Sequence, residues 1–185
     1  MYTVTNMERT VMDAEEMERT LARMAHEILE RHRGVADLAL IGIKKRGDIV
    51  ARRLAVLLGS LEKTPVPVGA VDITLYRDDL SHRLQPPSAA PSEIGFPVEG
   101  RRILLVDDVL FTGRTVRAAL NEILDFGRPK QIQLAVLVDR GGRELPVQAD
   151  YVGKRMTAGP GETVIVRLRE TDGREEIAIA AKADA

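Results

Sequence analysis

Asp107 and Asp108 stand side by side after the apolar run Ile103-Leu104-Leu105-Val106, and Thr112-Gly113-Arg114-Thr115 begins four residues further on. The run reads as a parallel strand buried on both faces, ending on the two carboxylates. Helical spacing follows and continues to about Phe126. A helix N-terminus preceded by threonines offers hydroxyls, unpaired N–H groups and the positive end of the macrodipole, which together suit a phosphate. The carboxylates suit the hydroxyls of a sugar, or a metal ion bound to them. The combination predicts a site for a ribose 5-phosphate. An aspartate pair alone says less, because acidic residues commonly end strands or cap helices. The side chains of Arg114 and Arg117 are not required and read equally as solvated helix charges.

A second candidate loop is Gly42-Ile43-Lys44-Lys45-Arg46-Gly47. Two glycines allow backbone to approach an anion, while Lys45 or Arg46 supplies charge. In isolation it also reads as a basic surface turn. A third is Asp72-Ile73-Thr74-Leu75-Tyr76-Arg77-Asp78-Asp79-Leu80, which leads into residues 76–100. That stretch contains Pro86, Pro87, Pro91 and Pro97 and is expected to be a flexible excursion. Arg77 at its opening is placed to close over a substrate, exclude water and offer a guanidinium. Arg77-Asp78 reads equally as a surface turn pair.

These pieces need a scaffold, and the composition describes an ordinary one. The chain has 185 residues, 44% hydrophobic and 30% charged, enough for one α/β domain with a substantial core. It contains no cysteine, which excludes disulfides, thiolate metal sites and cysteine nucleophiles. Three scattered histidines argue against zinc. A net charge of −1 argues against a broad nucleic-acid-binding face while allowing a local basic patch. No stretch approaches a membrane span, and the polar start lacks the apolar core of a signal peptide. A cytoplasmic protein without a membrane partner is expected.

Helical spacing of Met17, Leu21, Met24, Ile28 and Leu29 predicts a helix over Ala14–His32, with Gly34 as its C-cap. A short apolar strand is predicted over Leu38–Ile43, and a second helix over 47–58. Residues 66–75 read as a strand whose Pro65 and Pro67 suit an edge. After the central strand and helix come a strand over 131–138 and the turn Asp139-Arg140-Gly141-Gly142. A hairpin over 163–180 closes through Thr171-Asp172-Gly173. Strands alternating with helices predict an open, mostly parallel sheet, with ligands beyond the carboxyl ends of its strands.

The stretch from Ile103 to Thr115 resembles the motif that binds phosphoribosyl diphosphate (PRPP) in the type I phosphoribosyltransferases. Three more words extend the likeness: the Asp72 stretch, Gly127-Arg128-Pro129 with Gln133-Leu134-Ala135-Val136-Leu137-Val138-Asp139-Arg140-Gly141, and Arg143-Glu144-Leu145-Pro146. From about Glu16 to the C-terminal hairpin the chain is similar to the PyrR family. Its members are bacterial pyrimidine-operon attenuation regulators that also act as uracil phosphoribosyltransferases. The resemblance implies a type I phosphoribosyltransferase fold, α/β, in which a central sheet carries a small hood over residues 139–161. It implies a homodimer or homotetramer that uses Mg²⁺-bound PRPP to convert uracil to UMP. It also implies a leader mRNA as partner, bound in response to UMP or UTP.

Carried onto this sequence, Asp107 and Asp108 hold the ribose hydroxyls and contact the metal, directly or through PRPP. Val109, Leu110 and Phe111 bind PRPP, and Thr112, Gly113, Arg114 and Thr115 bind its 5′-phosphate. Lys45 and Arg46 face pyrophosphate, Arg77 joins them from the closing segment, and Arg140 lies near the base. Arg23, His26, Arg143 and Lys154 fall at RNA-contact positions. The match departs at Lys45, where the family has threonine, at Gly142, where it has histidine, and at Ala22 and Gln148, where it has threonine and arginine. Fewer cationic contacts weaken RNA affinity and flatten its salt dependence. Two other readings stay open, a regulator with little or no catalysis and a phosphoribosyltransferase for another base such as hypoxanthine.

Overall fold

The computed structural model describes residues 8–73 and 92–181. Five parallel strands form the main sheet in the order β3-β2-β4-β5-β6. These are β2 (Leu38–Ile43), β3 (Val68–Val71), β4 (Arg102–Leu110), β5 (Gln131–Asp139) and β6 (Tyr151–Arg155). Helices α1 (Ala14–His32) and α2 (Gly47–Glu62) pack on one face, and α3 (Arg114–Asp125) packs on the other. A three-stranded antiparallel sheet of β1 (Arg9–Asp13), β8 (Glu176–Ala181) and β7 (Glu162–Arg167) sits beside α2, with a one-turn helix α4 (Arg169–Asp172) between β7 and β8.

Strand β4 shows why the sheet is covered on both sides. Its alternating side chains enter two cores: Leu104 and Val106 join Met17, Met24, Leu54 and Leu58, whereas Ile103 and Leu105 join Val116, Ala119 and Ile123. Burying one such side chain is worth about 1.5–3 kcal/mol, so a strand apolar on both faces is stable only between two helical layers. The small sheet is tied to α2 by Arg53, whose guanidinium pairs with both Glu170 and Glu175.

The sequence places α1 and β2 with the boundaries observed. Several other expectations need correction. Helix α1 ends on Arg33 in the left-handed conformation, one residue before the expected glycine. Helix α2 runs on to Glu62, and β3 is shorter than expected because Asp72 already leaves the sheet. Strand β4 does not stop at the aspartates. It continues to Leu110, because β5 extends alongside it to Asp139 and supplies backbone partners. Strand β6 lies inside the span read as a hood, so part of that span completes the main sheet. The prolines before β3 do mark an edge.

Candidate active site

The carboxyl ends of β2, β3 and β4 surround a cavity of about 370 Å³. It is lined by Lys45, Arg46, Asp107, Asp108, Val109 and Thr115 from the expected set, and by Lys44 and Asp72 beside them. Gly47 brings the first two loops into contact: a Cβ there would lie 2.5 Å from the Val106 carbonyl oxygen and 2.9 Å from Asp107 Cα. A larger cavity of about 990 Å³ lies between α1, α2 and α4. Its main cations are already paired, Arg52 with Asp48 and Arg53 with Glu170 and Glu175. The smaller cavity is the one that holds the carboxylate pair.

Asp107 is 5% exposed, and its Oδ1 accepts a hydrogen bond from the Asp108 backbone N–H at 2.9 Å. Asp108 Oδ1 accepts from the Val109 N–H at 2.9 Å. Burial, and then the charge of Asp108, pushes the Asp107 carboxyl well above the usual range. Burial also raises Asp108, against the pull of these donors and of Arg46. Two adjacent carboxylates held this way favour a cation or hydroxyl donors as neighbours.

The loop after β4 is held by backbone. Gly113 has φ 91°, a left-handed geometry that suits glycine, and it starts α3 without a side-chain cap. The Thr112 hydroxyl accepts the Arg114 N–H at 3.3 Å, and the first-turn N–H groups after it point past the helix end. The Thr112 carbonyl accepts the N–H groups of Glu144 and Leu145 at 2.9 and 3.0 Å, and Arg114 pairs with Glu144 at 2.7 Å. Thr112, Gly113 and Arg114 flank the cavity without lining it. Leu110 is buried, and its carbonyl accepts the Arg140 N–H at 3.1 Å.

Beyond this loop the Arg140 guanidinium lies 4.1 Å from the centre of the Phe111 ring. One edge of the same ring lies against Gly142, where a Cβ would come within 2.5 Å of Phe111 Cε2. A histidine at 142 would require Phe111 to move. Arg143 knits this corner together, donating to the Val147 carbonyl at 2.9 Å and the Phe111 carbonyl at 2.8 Å and pairing with Asp139 at 2.7 Å.

The loop after β2 is held by side chains. Lys44 pairs with Glu93 and Arg46 with Asp172, each at 2.8 Å. The Lys44–Lys45 peptide is cis. Asp72 follows β3, and its N–H donates to the Ser92 hydroxyl at 3.1 Å, which in turn hydrogen-bonds Glu122 on α3. Arg77 lies outside the described residues. Glu93 and Asp172 escaped sequence reasoning, because each pairs with a residue far away in the chain.

The remaining expected positions lie at the opposite edge of the sheet, on α1 and β6. Arg23 donates to the carbonyls of Val152 and Gly153, and His26 Nδ1 lies 2.8 Å from the Ala22 carbonyl oxygen. Lys154 Nζ contacts the Val11 carbonyl at 2.6 Å and Glu16 at 2.7 Å.

Comparison with known proteins agrees with this geometry. The family model for the phosphoribosyl transferase domain matches residues 9–165. The bifunctional protein PyrR of Chloroflexus aurantiacus is 52% identical over 172 residues, covering 93% of this chain and 94% of that protein. The bifunctional protein PyrR of Deinococcus deserti is 54% identical over 168 residues, covering 91% of this chain and 92% of that one. Among solved structures, a hypoxanthine phosphoribosyl transferase of Trypanosoma cruzi superposes with a TM-score of 0.73 at 21% identity, covering 98% of this chain and 95% of that one. At that identity the superposition speaks for the fold alone, the type I phosphoribosyltransferase fold. Sequence and fold agree: the chain belongs to the phosphoribosyl transferase family and, within it, to the bifunctional PyrR proteins.

Proposed function

We propose that this chain transfers the phosphoribosyl group of PRPP to uracil, giving UMP and pyrophosphate, and binds the leader mRNA of pyrimidine genes in response to UMP or UTP. One observation carries the catalytic half: a buried carboxylate pair, a helix start without a side-chain cap and a cationic loop meet around one cavity. The 5′-phosphate is received by the backbone donors of residues 112–115. The ribose hydroxyls donate to Asp107 and Asp108, relieving carboxylates that burial otherwise disfavours as anions.

Among the described residues no group of three His, Cys, Asp or Glu side chains could hold a metal ion. The aspartates therefore fit a Mg²⁺ that takes most of its ligands from the diphosphate and water. Bound with PRPP, Mg²⁺ would neutralise charge on the diphosphate. As the uracil nitrogen, its proton passing to solvent, bonds to the anomeric carbon, the bond from that carbon to the diphosphate oxygen breaks. Positive charge develops on the sugar and negative charge on the leaving group. Lys45 and Arg46 stabilise the leaving group, joined by Arg77 from the segment after Asp72, while the carboxylates lie beneath the sugar. Arg140, stacked on Phe111, marks the base end. No covalent nucleophile is needed, and positioning with charge stabilisation supplies the catalysis.

The regulatory half rests on Arg23, His26 and Lys154 along α1 and β6, with Arg143 in the corner below Phe111. Among the described residues no helix is long and apolar enough to cross a membrane. Our reading is a cytoplasmic homodimer or homotetramer. UMP formation from uracil, PRPP and Mg²⁺, with hypoxanthine in parallel, tests the catalytic half. Activity with uracil alone is expected, and turnover of hypoxanthine instead would overturn the substrate assignment. A gel shift on the organism's own leader RNA, with and without UMP, tests the regulatory half. Binding that ignores UMP would overturn it.

A further inference from the structure

Arg46 is tethered from outside its own loop. Its Nη2 donates to Asp172 Oδ1 at 2.8 Å, across 126 residues of sequence. Asp172 ends α4, on the connection between β7 and β8 of the small sheet. Its carboxylate is itself immobilised, since Oδ2 accepts from the Leu168 N–H at 2.9 Å and from the Thr171 hydroxyl at 2.8 Å. Arg46 first, and these donors after it, lower the Asp172 carboxyl to about 2, so it is an anion at any physiological pH.

The rest of the Arg46 guanidinium is differently placed. Its Nε is buried with no acceptor among the described residues, and its charge acts on Asp108. A buried donor without a partner is costly unless a ligand satisfies it. A guanidinium anchored at one nitrogen while lining the cavity of the carboxylate pair is preorganised for a second oxyanion. The anchoring carboxylate has its own charge matched by Arg46, so its repulsion of an incoming anion is largely offset and its orienting effect remains.

Resting on the phosphoribosyl-transfer reading, we propose that Asp172 is a positioning residue for the diphosphate. It holds the Arg46 guanidinium at the wall of that cavity for an oxygen of the leaving pyrophosphate, which makes the small sheet part of the support of the active site. Asp172 does not touch the reacting atoms.

Calorimetric titration of pyrophosphate with Mg²⁺ into the full chain tests this, together with steady-state kinetics. Asp172→Asn is expected to weaken pyrophosphate and raise KM for PRPP about tenfold, with a smaller fall in kcat and with KM for uracil within about twofold. In an Arg46→Gln background the same change should have no further effect, because the group it positions is gone. Arg169→Gln alters the same turn without touching Arg46 or the Asp172 carboxylate and should leave pyrophosphate binding within about twofold. Equal or tighter binding by Asp172→Asn would overturn the proposal, as would an undiminished loss in the Arg46→Gln background. A matching loss in Arg169→Gln would also overturn it, by assigning the effect to the turn. Absence of pyrophosphate binding by the unaltered protein would instead overturn the PRPP reading, and this proposal with it.

Discussion

The loops after β2 and β4 leave neighbouring strands at the same end of one sheet, and each turns into a helix. Their ties differ in kind. The β4 loop is held at its backbone, through the left-handed Gly113, the N–H groups of Glu144 and Leu145 on the Thr112 carbonyl and the Arg143 guanidinium on the Phe111 carbonyl. The β2 loop is fixed by charged side chains whose partners, Glu93 and Asp172, come from other parts of the fold. A loop that reads an anion with backbone donors tolerates side-chain change and is sensitive to backbone change. A loop that reads it with guanidinium and ammonium groups has the reverse sensitivity.

The largest effect should come from between the loops. Asp107→Asn is expected to lower kcat by an order of magnitude or more, since the amide keeps the shape and loses the charge beside the developing cation. Unchanged turnover would remove Asp107 from the site. The contrast itself is sharpest in a pair of variants. Arg46→Gln should raise KM for PRPP about tenfold, whereas Arg114→Gln, whose side chain pairs with Glu144 at the rim, should raise it less than about threefold. Equal losses would dissolve the distinction.

Gly113→Ala probes the backbone-held loop directly. It places a Cβ 3.2 Å from Val147 Cγ2 at φ 91° and should lower stability by about 1–2 kcal/mol, read as a drop in Tm. Retained stability with intact PRPP binding would contradict the backbone account.

The smallest effect concerns Glu122, which joins Ser92 to α3. Burial raises its carboxyl above the ordinary 4.5. Its contribution is thus fully present below that ordinary value and is lost as pH rises through the folded value. Glu122→Gln should raise Tm by roughly 2–4 °C near pH 7.5, with the gap closing in acid. A gap that widens on acidification would reverse the sign.

The same contrast explains how much of the molecule could be read in the chain. The β4 loop was legible because everything it needs is local: an apolar strand, two carboxylates, a glycine and a helix within about two dozen residues. Helix α1 and strand β2 were legible for similar reasons, being long or uniformly apolar. Strand β6 was not, since Tyr151-Val152-Gly153-Lys154-Arg155 mixes a glycine with charges and becomes a strand only beside β5. Asp172 was hidden by its own turn: Thr171-Asp172-Gly173 is fully accounted for by hairpin chemistry, and nothing nearby points to Arg46. Arg143 reads in the chain as an RNA-contact position, and folding gives its guanidinium the carbonyls of Val147 and Phe111 instead.

Gly47 has a consequence for anyone who would re-engineer the chain. With no side chain there, the start of α2 rests against the main chain of Val106 and Asp107. The cationic loop and the aspartates are therefore a single casting rather than two modules bolted together. Exchanging the loop for one from a distant relative would transplant a fit as well as a charge pattern, and only donors with the same bare junction would carry it across.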